Sequence, residues 1–337
     1  MINIVYRLKQ PKFFEESIDE IDLDGIIVRP THLSICQADQ RYYQGLRPAE
    51  VLDEKLPMAL IHEGIGEVVY DATGEFQSGD KVVMIPNTPD KPVYRANYDY
   101  NSKFRGSGFD GFTSDLISLT HDRIVKIPDD FNLNVSAFIE LMSVAYQGIT
   151  KFSDIAITPK DKIGVWGDGN LGFITALFLK EIFPNSKVYV FGKHLENLNL
   201  FSFADGIYQI NNIDNDIKID HAFECVGSAA SQSAINQIID LINPQGSINL
   251  FGVSEYPVPI NTRMILEKGL TIQGNSRSDR EDFIGVVETL KKNPHLFEYL
   301  DKLITNICEI NNLNDLKESF EKDYISRFGK TILKWNK

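Results

Sequence analysis

Cys36, His62 and Glu63 fall close together in the chain, each bordering an apolar run or a turn. Thiolate, imidazole and carboxylate are ligands of zinc, which takes them tetrahedrally and keeps one position open where it is catalytic. The spacing is not that of a zinc finger. Taken singly, Cys36 reads as a small buried apolar residue and His62-Glu63 as part of a strand. A second stretch gives them weight. From Lys162 to Trp166 the chain is short and apolar, and it then enters Gly167-Asp168-Gly169-Asn170-Leu171-Gly172, spaced G-x-G-x-x-G. Helical periodicity follows from Phe173 to Ile182, so the unit is a strand, a tight turn and a helix. Each glycine has its own physical reason: Gly167 for the turn, Gly169 for close approach to a pyrophosphate, and Gly172 for packing. The phosphate would rest on the helix N-terminus, where free N–H groups favour negative charge. Gly167, Gly169, Asn170, Leu171 and Gly172 are therefore candidate cofactor contacts.

The elements that must hold these groups come in two styles. After the glycine turn, buried strands at Lys187–Phe191, Gly206–Ile210, His221–Val226, Ser247–Phe251 and Leu270–Gly274 complete six with the first. A helix is expected at Ser231–Leu241 and a turn at Pro244-Gln245-Gly246. This pattern predicts an α/β fold with a doubly wound parallel six-stranded sheet. Ligands in such sheets lie beyond the carboxyl ends of the strands, which brings in Gly227, Gly252-Val253 and Ser276-Arg277. The second strand ends in Gly192-Lys193-His194 and lacks the acid that binds an unphosphorylated ribose. Lys193 would attract a 2′-phosphate, favouring NADP over NAD, unless it merely faces solvent. Cys225 and Cys308 read as buried strand residues.

The flanking segments read as β-rich. Strands are expected at Val5–Leu8 and Gly25–Arg29, with acidic turn residues between, then at Lys81–Pro86 and between Gly111 and Ile127. Asn87 to Gly108 reads as a long polar, aromatic loop with Pro89, Pro92, Tyr94, Arg95, Tyr98, Tyr100, Lys103 and Arg105. Val135–Ile149 has helical spacing and carries Glu140. After Arg280 one amphipathic helix, Phe283–Leu290, is expected before a return through Phe320 and Thr331–Trp335. The resulting division is 1–148, 149–278 and 279–337, with the dinucleotide domain inserted into the other.

At 337 residues and 43% hydrophobic content the chain is long enough for about two domains. A net charge of −13 argues against nucleic-acid or anionic-membrane surfaces, so an anionic ligand must find specific cations. No apolar run approaches the ~18 residues of a membrane span, and Met1 to Tyr6 lacks signal-peptide character. Three scattered cysteines suit a reduced compartment, and the cytoplasm is expected.

Further motifs occur in a fixed order: Cys36-x-x-Asp39, His62-Glu63-Gly64-x-Gly66-x-Val68, Gly79-Asp80-Lys81-Val82, Gly108-x-Asp110-Gly111-Phe112, Glu140-x-x-Ser143-Val144-Ala145 and the glycine turn. In that order they resemble the zinc-dependent medium-chain dehydrogenases, from about residue 20 to Lys334. Three segments are more narrowly similar to the ribulose-5-phosphate reductases: Ser34-Ile35-Cys36-x-Ala38-Asp39-Gln40-Arg41-Tyr42-Tyr43, Trp166 to Gly172, and Phe223-Glu224-Cys225-Val226-Gly227. The resemblance implies a GroES-like, β-rich catalytic domain holding an inserted Rossmann domain. It also implies one catalytic zinc on Cys36, His62, Glu63 and an exchangeable Glu140. Tyr42 and Arg277 would border the sugar. No structural zinc is expected, because the segment from Pro86 to Gly111 lacks cysteine.

The implied reaction is zinc- and NADPH-dependent reduction of D-ribulose 5-phosphate to D-ribitol 5-phosphate, for teichoic acid or capsule. Arg41, Arg105 and Arg277 are the candidate phosphate ligands; Gly227 and Val253 would line the cofactor. Ala38 stands where related enzymes keep a hydroxyl for the proton, so water or a substrate hydroxyl linked to Glu140 is the expected donor. The resemblance suggests a homodimer paired near Leu270–Gly274, with the cytidylyltransferase of the same pathway as a possible partner. Competing readings are a zinc polyol or sugar-phosphate dehydrogenase with another substrate, and a non-catalytic NADP-binding protein.

Overall fold

A computed structural model describes residues 1–91, 95–214, 216–326 and 328–337. The chain forms two compact units, one of Met1–Ser143 with Arg277–Lys337 and one of Val144–Ser276. The divisions fall after 143 and after 276, where the sequence placed them after 148 and after 278. The helix Ile139–Ile155 runs without a break past the first of these points.

The discontinuous unit is built on strands. A seven-stranded sheet has Ile26–Ser34 near its middle, paired antiparallel on one side with Glu63–Asp71 and on the other with Lys330–Trp335. Ser34 lies opposite both Glu63 and Ile332. This register brings the last strand of the chain beside the segment that carries His62 and Glu63. A smaller three-stranded sheet pairs Ile2–Gln10 with Phe13–Glu20 and with Met58–Ala59. The acidic stretch after Lys12 is thus a strand and not the expected turn. Only Phe14 of that strand is fully buried, so its sequence carries almost no apolar alternation. The core gathers Leu33, Tyr42, Tyr43, Leu60, Met84, Phe112, Phe320 and Trp335 from distant parts of the chain.

Two other expectations change. Within the long segment after Pro86, Asn87–Thr88 pairs antiparallel with Lys103–Phe104, and Ala96–Tyr98 is a short 3-10 helix. Pro92 and Tyr94 lie outside the described residues. From Arg280 onward the described residues form three helices, Arg280–Lys292, Leu296–Asp301 and Leu313–Ser326, where one was expected.

The Val144–Ser276 unit holds a six-stranded sheet, every neighbouring pair parallel. In spatial order its strands are Gly206–Gln209, Lys187–Gly192, Lys162–Trp166, Ile219–Glu224, Ile242–Leu250 and Thr271–Gly274. Numbered along the chain this is 3-2-1-4-5-6, the order of doubly wound dinucleotide-binding sheets. The fifth strand begins earlier than expected, because the Pro244-Gln245-Gly246 turn is absorbed as an irregularity with Gln245 at φ +64. Trp166 and Phe191 stack at 3.9 Å beneath the carboxyl ends of the central strands. Among the described residues, no helix is long and apolar enough to cross a membrane.

Candidate active site

In the discontinuous unit, one ligand atom each from Cys36, His62 and Glu63 lies within 4.8 Å of the others. Local structure explains the placement. Cys36 is the N-cap of the helix Gln37–Tyr43, and Asp39 at its third position accepts from the Cys36 amide at 3.0 Å. The other oxygen of Asp39 accepts from the Ile61 amide at 3.0 Å and lies 3.5 Å from His62 Nδ1. One buried carboxylate therefore registers the cysteine against the histidine. Ile61, between the last apolar residue and His62, is held at φ +68, a rare conformation for a β-branched residue. The surroundings enforce it: Phe112 donates its amide to Ile61, and a Cβ on Gly111 would come within 2.3 Å of the Ile61 carbonyl. Backbone strain of this kind gathers where geometry is over-determined.

Glu63 opens its strand fully buried, and Lys330 Nζ lies 2.7 and 2.9 Å from its two oxygens. Lys330 also donates to the Ile35 carbonyl at 2.9 Å. Removing one partner of such a buried pair costs about 3–5 kcal/mol, because a lone charge is left in a dry interior. A carboxylate has about four lone-pair sites, so Glu63 keeps acceptor capacity beyond Lys330. Glu140, in the first turn of Ile139–Ile155, is 4% exposed. It lies outside the 4.8 Å set, yet its carboxyl responds to His62, Glu63, Lys330 and Asp39. Ser143 Oγ reaches the Glu140 carbonyl and Ser278 Oγ, each at 2.6 Å.

The electrostatics of this cluster suit a cation. Burial pushes the Cys36 thiol up, against the pull of His62. Burial alone would lower the His62 imidazole, but Asp39 and Cys36 outweigh it and hold it well above its ordinary value. Burial raises Glu140 to about 7, with Glu63 and Asp39 adding to the rise and His62 and Lys330 opposing it. Burial favours the protonated forms of Cys36 and Glu140, neighbouring groups favour that of His62, and a divalent ion would draw the protons off. The donor set of sulfur, nitrogen and carboxylate oxygen fits zinc.

Around the cluster, the sequence candidates separate. The Phe104 ring lies 5.3 Å from the His62 ring, and the Arg277 guanidinium sits 5.1 Å above the same Phe104. Arg277 donates to Ser102 Oγ at 2.7 Å, is half-buried at φ +57, and meets no carboxylate among the described residues. Burial lowers its pKa. Tyr42 is buried, with the Arg47 guanidinium 5.0 Å from its ring, and Arg41 is in the last turn of the Cys36 helix. Arg105, expected as a phosphate ligand, donates from its Nη atoms to the carbonyls of Asp110 and Ser118, while its Nε is buried with no hydrogen-bond partner among the described residues. The group lies against Phe109 and Phe112, where burial lowers it to about 10.

In the other unit, Gly167 adopts φ +128 where a Cβ would meet the Cys225 carbonyl at 2.9 Å. A Cβ on Gly172 would lie 2.0 Å from the Gly167 carbonyl, so the helix sits on the turn itself. Gly169 caps the helix Asn170–Ile182 and has open space before it; Asn170 and Leu171 are the first helical residues. A cavity of about 570 Å³ opens there, lined by Gly167, Asp168, Gly169, Gly192, Lys193 and His194 among others. Asp168 accepts from the amides of Lys193 and His194, and a Cβ on Gly192 would strike it at 2.6 Å. The missing acid at the strand end is thus matched by an acid inside the glycine turn that braces the Lys193 loop. Lys193 itself is exposed. Gly227, at φ +70, packs on the backbone of Val253, whose side chain is exposed. Cys225 lies just past its strand and lines the cavity, where a buried strand position was expected. Burial pushes its thiol up, which fits an inert cysteine. Cys308 is half-buried in the strand Ile304–Ile310.

Asp39 and Lys330 carry the cluster and were not singled out by sequence reasoning. Asp39 had a signal, its place in Cys36-x-x-Asp39. Lys330 had only its position in the closing strand, 267 residues from Glu63.

Comparison with known proteins agrees with this geometry. Residues 23–129 match the alcohol dehydrogenase GroES-like domain, and residues 200–292 match the zinc-binding dehydrogenase domain. Ribulose-5-phosphate reductase 1 of Staphylococcus aureus is 51% identical over 99% of both chains, and ribulose-5-phosphate reductase of Streptococcus pneumoniae is 41% identical over 99% of this chain and 98% of that one. The crystal structure of S. aureus TarJ in complex with NADPH superposes with a TM-score of 0.91 at 48% identity, covering all of both chains. The chain belongs to the zinc-binding medium-chain alcohol dehydrogenases and, within them, to the ribulose-5-phosphate reductase family.

Proposed function

We propose that this protein reduces D-ribulose 5-phosphate to D-ribitol 5-phosphate with NADPH and one zinc ion. The observation that carries the reading is the convergence of Cys36, His62 and Glu63 within 4.8 Å, in a chain half identical to a ribulose-5-phosphate reductase. When bound, zinc supplies Lewis-acid polarisation of a carbonyl, and the nicotinamide supplies hydride. The chain's own residues do the rest. Cys36, His62 and Glu63 hold the metal, Asp39 and Lys330 hold His62 and Glu63, and Glu140 serves as a fourth, exchangeable ligand. A substrate hydroxyl or a water linked to Glu140 delivers the proton to the product oxygen.

Arg277 takes the phosphate, steadied by Ser102 and Phe104, and Arg41 and Tyr42 border the sugar. Gly167, Gly169, Asn170, Leu171 and Gly172 receive the pyrophosphate. Lys193 meets the 2′-phosphate, and Gly227 and Val253 line the remainder of the cofactor. The Val144–Ser276 unit is then the NADP-binding domain and the discontinuous unit the catalytic one. Three unpaired cysteines suit the cytoplasm. The edge strand Thr271–Gly274 is the natural seam of a homodimer, and supply of ribitol phosphate to teichoic acid or capsule makes a cytidylyltransferase the fitting partner.

The test is metal content by mass spectrometry, followed by NADPH oxidation with D-ribulose 5-phosphate, D-xylulose 5-phosphate and D-ribulose. One zinc per chain and a clear preference for the first substrate are expected. A preference for another sugar would move the substrate, and NADPH binding without zinc or turnover would return the protein to a non-catalytic role.

A further inference from the structure

Asn87 is 1% exposed, and neither its Oδ1 nor its Nδ2 has a hydrogen-bond partner among the described residues. Buried polar groups are almost always paired, so a carboxamide orphaned at both ends calls for an explanation. Its backbone is held in the ribbon: Asn87 lies opposite Phe104, and its carbonyl accepts from Arg123 Nη1 at 2.7 Å. Directly opposed residues of an antiparallel pair project from the same face. The Asn87 side chain therefore shares its face with the Phe104 ring, which lies 5.3 Å from the His62 ring and 5.1 Å from the Arg277 guanidinium. The other face of the ribbon carries the exposed Lys103.

We infer that Asn87 is a specificity-determining residue whose carboxamide binds a hydroxyl of the substrate chain, between the carbonyl end held near His62 and the phosphate held by Arg277. A carboxamide suits this task because it offers both an acceptor and donors, and a sugar hydroxyl needs both. A site built to hydrogen-bond a hydroxyl rejects an analogue that lacks it far more strongly than an apolar pocket could. The inference rests on the proposed ketose-phosphate reduction.

Asn87→Ala tests it with D-ribulose 5-phosphate, its epimer D-xylulose 5-phosphate, and D-ribulose 5-phosphate analogues lacking the C3 or the C4 hydroxyl. The variant is expected to lose about tenfold or more in kcat/KM on D-ribulose 5-phosphate, as fits one lost hydrogen bond in a dry site. Zinc content and the NADPH dissociation constant stay at wild-type values. The preference over the epimer narrows, and the penalty that one deoxy analogue suffers with the wild-type enzyme disappears in the variant. Equal losses on every substrate, or none, overturn the inference while leaving the proposed reaction intact. If Asn87→Ala does not fold, Asn87→Ser is read by the same deoxy comparison. A zinc-loaded wild-type enzyme inactive on D-ribulose 5-phosphate overturns the proposed reaction, and this inference with it.

Discussion

The glycine turn and the metal cluster place ligand-binding groups by opposite means. At the turn the backbone makes the site: Gly167, Gly169 and Gly172 follow one another within a single strand-turn-helix unit, and what matters is the absence of side chains. In the cluster, side chains make the site. Cys36 comes from a helix cap, Glu63 from the start of a strand, Glu140 from another helix and Lys330 from the final strand, each held by a partner distant in sequence. A backbone site is as accurate as its local fold. A side-chain site is only as accurate as the sheet register that brings Ser34 opposite both Glu63 and Ile332.

If the two are separable, they break separately. Cys36→Ala removes a metal ligand without touching the turn. Zinc is expected to be lost and turnover to fall roughly a thousandfold or more, since several kcal/mol of charge stabilisation go with the ion and each ~1.4 kcal/mol is tenfold. NADPH binding, followed by cofactor fluorescence, stays near wild type. Gly172→Ala does the reverse. Its new Cβ would stand 2.0 Å from the Gly167 carbonyl, so the turn must shift. About 1–3 kcal/mol of packing strain would weaken NADPH by tenfold or more, while zinc content is retained. If Cys36→Ala abolished NADPH binding, or Gly172→Ala emptied the metal site, the separation drawn here would be wrong.

The same contrast explains what the sequence could and could not reveal. The parallel strands were legible where they carry buried apolar runs, most clearly Lys162–Trp166 and Lys187–Gly192, and the glycine spacing is local. Cys36, His62 and Glu63 were legible as residue types, and the order of motifs made them a set. The strand Phe13–Glu20 was missed because one buried residue, Phe14, leaves no alternation to detect. The helix Leu313–Ser326 was missed for a related reason: its buried stripe is Leu316, Ser319, Phe320 and Asp323, half of it polar. Arg105 and Arg277 look alike in sequence, and only three-dimensional partners distinguish a guanidinium bonded to two backbone carbonyls from one bonded to a serine hydroxyl. Asn87 and Lys330 depend on pairing across the sheet, which no local pattern encodes.

A smaller effect sharpens the cofactor side. Lys193 is exposed, and its loop is braced through backbone amides on Asp168, so its charge can be reversed without disturbing the turn. Unit charges about 4 Å apart in water interact by roughly 1 kcal/mol. Lys193→Asp is therefore expected to weaken NADPH about tenfold more than NADH, given the charge of a 2′-phosphate. The difference should shrink as salt is added, because exposed charges are screened. Equal weakening of both cofactors would remove Lys193 from the 2′-phosphate.

The smallest expected effect concerns the coupling inside the metal cluster. Burial holds the Glu140 carboxyl at about 7, above the ordinary 4.5. An acid whose folded pKa is raised contributes stability that is complete below its unfolded value and disappears as pH climbs through the folded one. In zinc-stripped protein, Tm should therefore fall between about pH 5 and pH 8 more steeply in the wild type than in Glu140→Gln, which cannot ionise. Zinc reverses the preference by favouring the carboxylate, so the two slopes should converge when the metal is restored. If the slopes are the same without metal, Glu140 lies in a wetter setting than its 4% exposure implies.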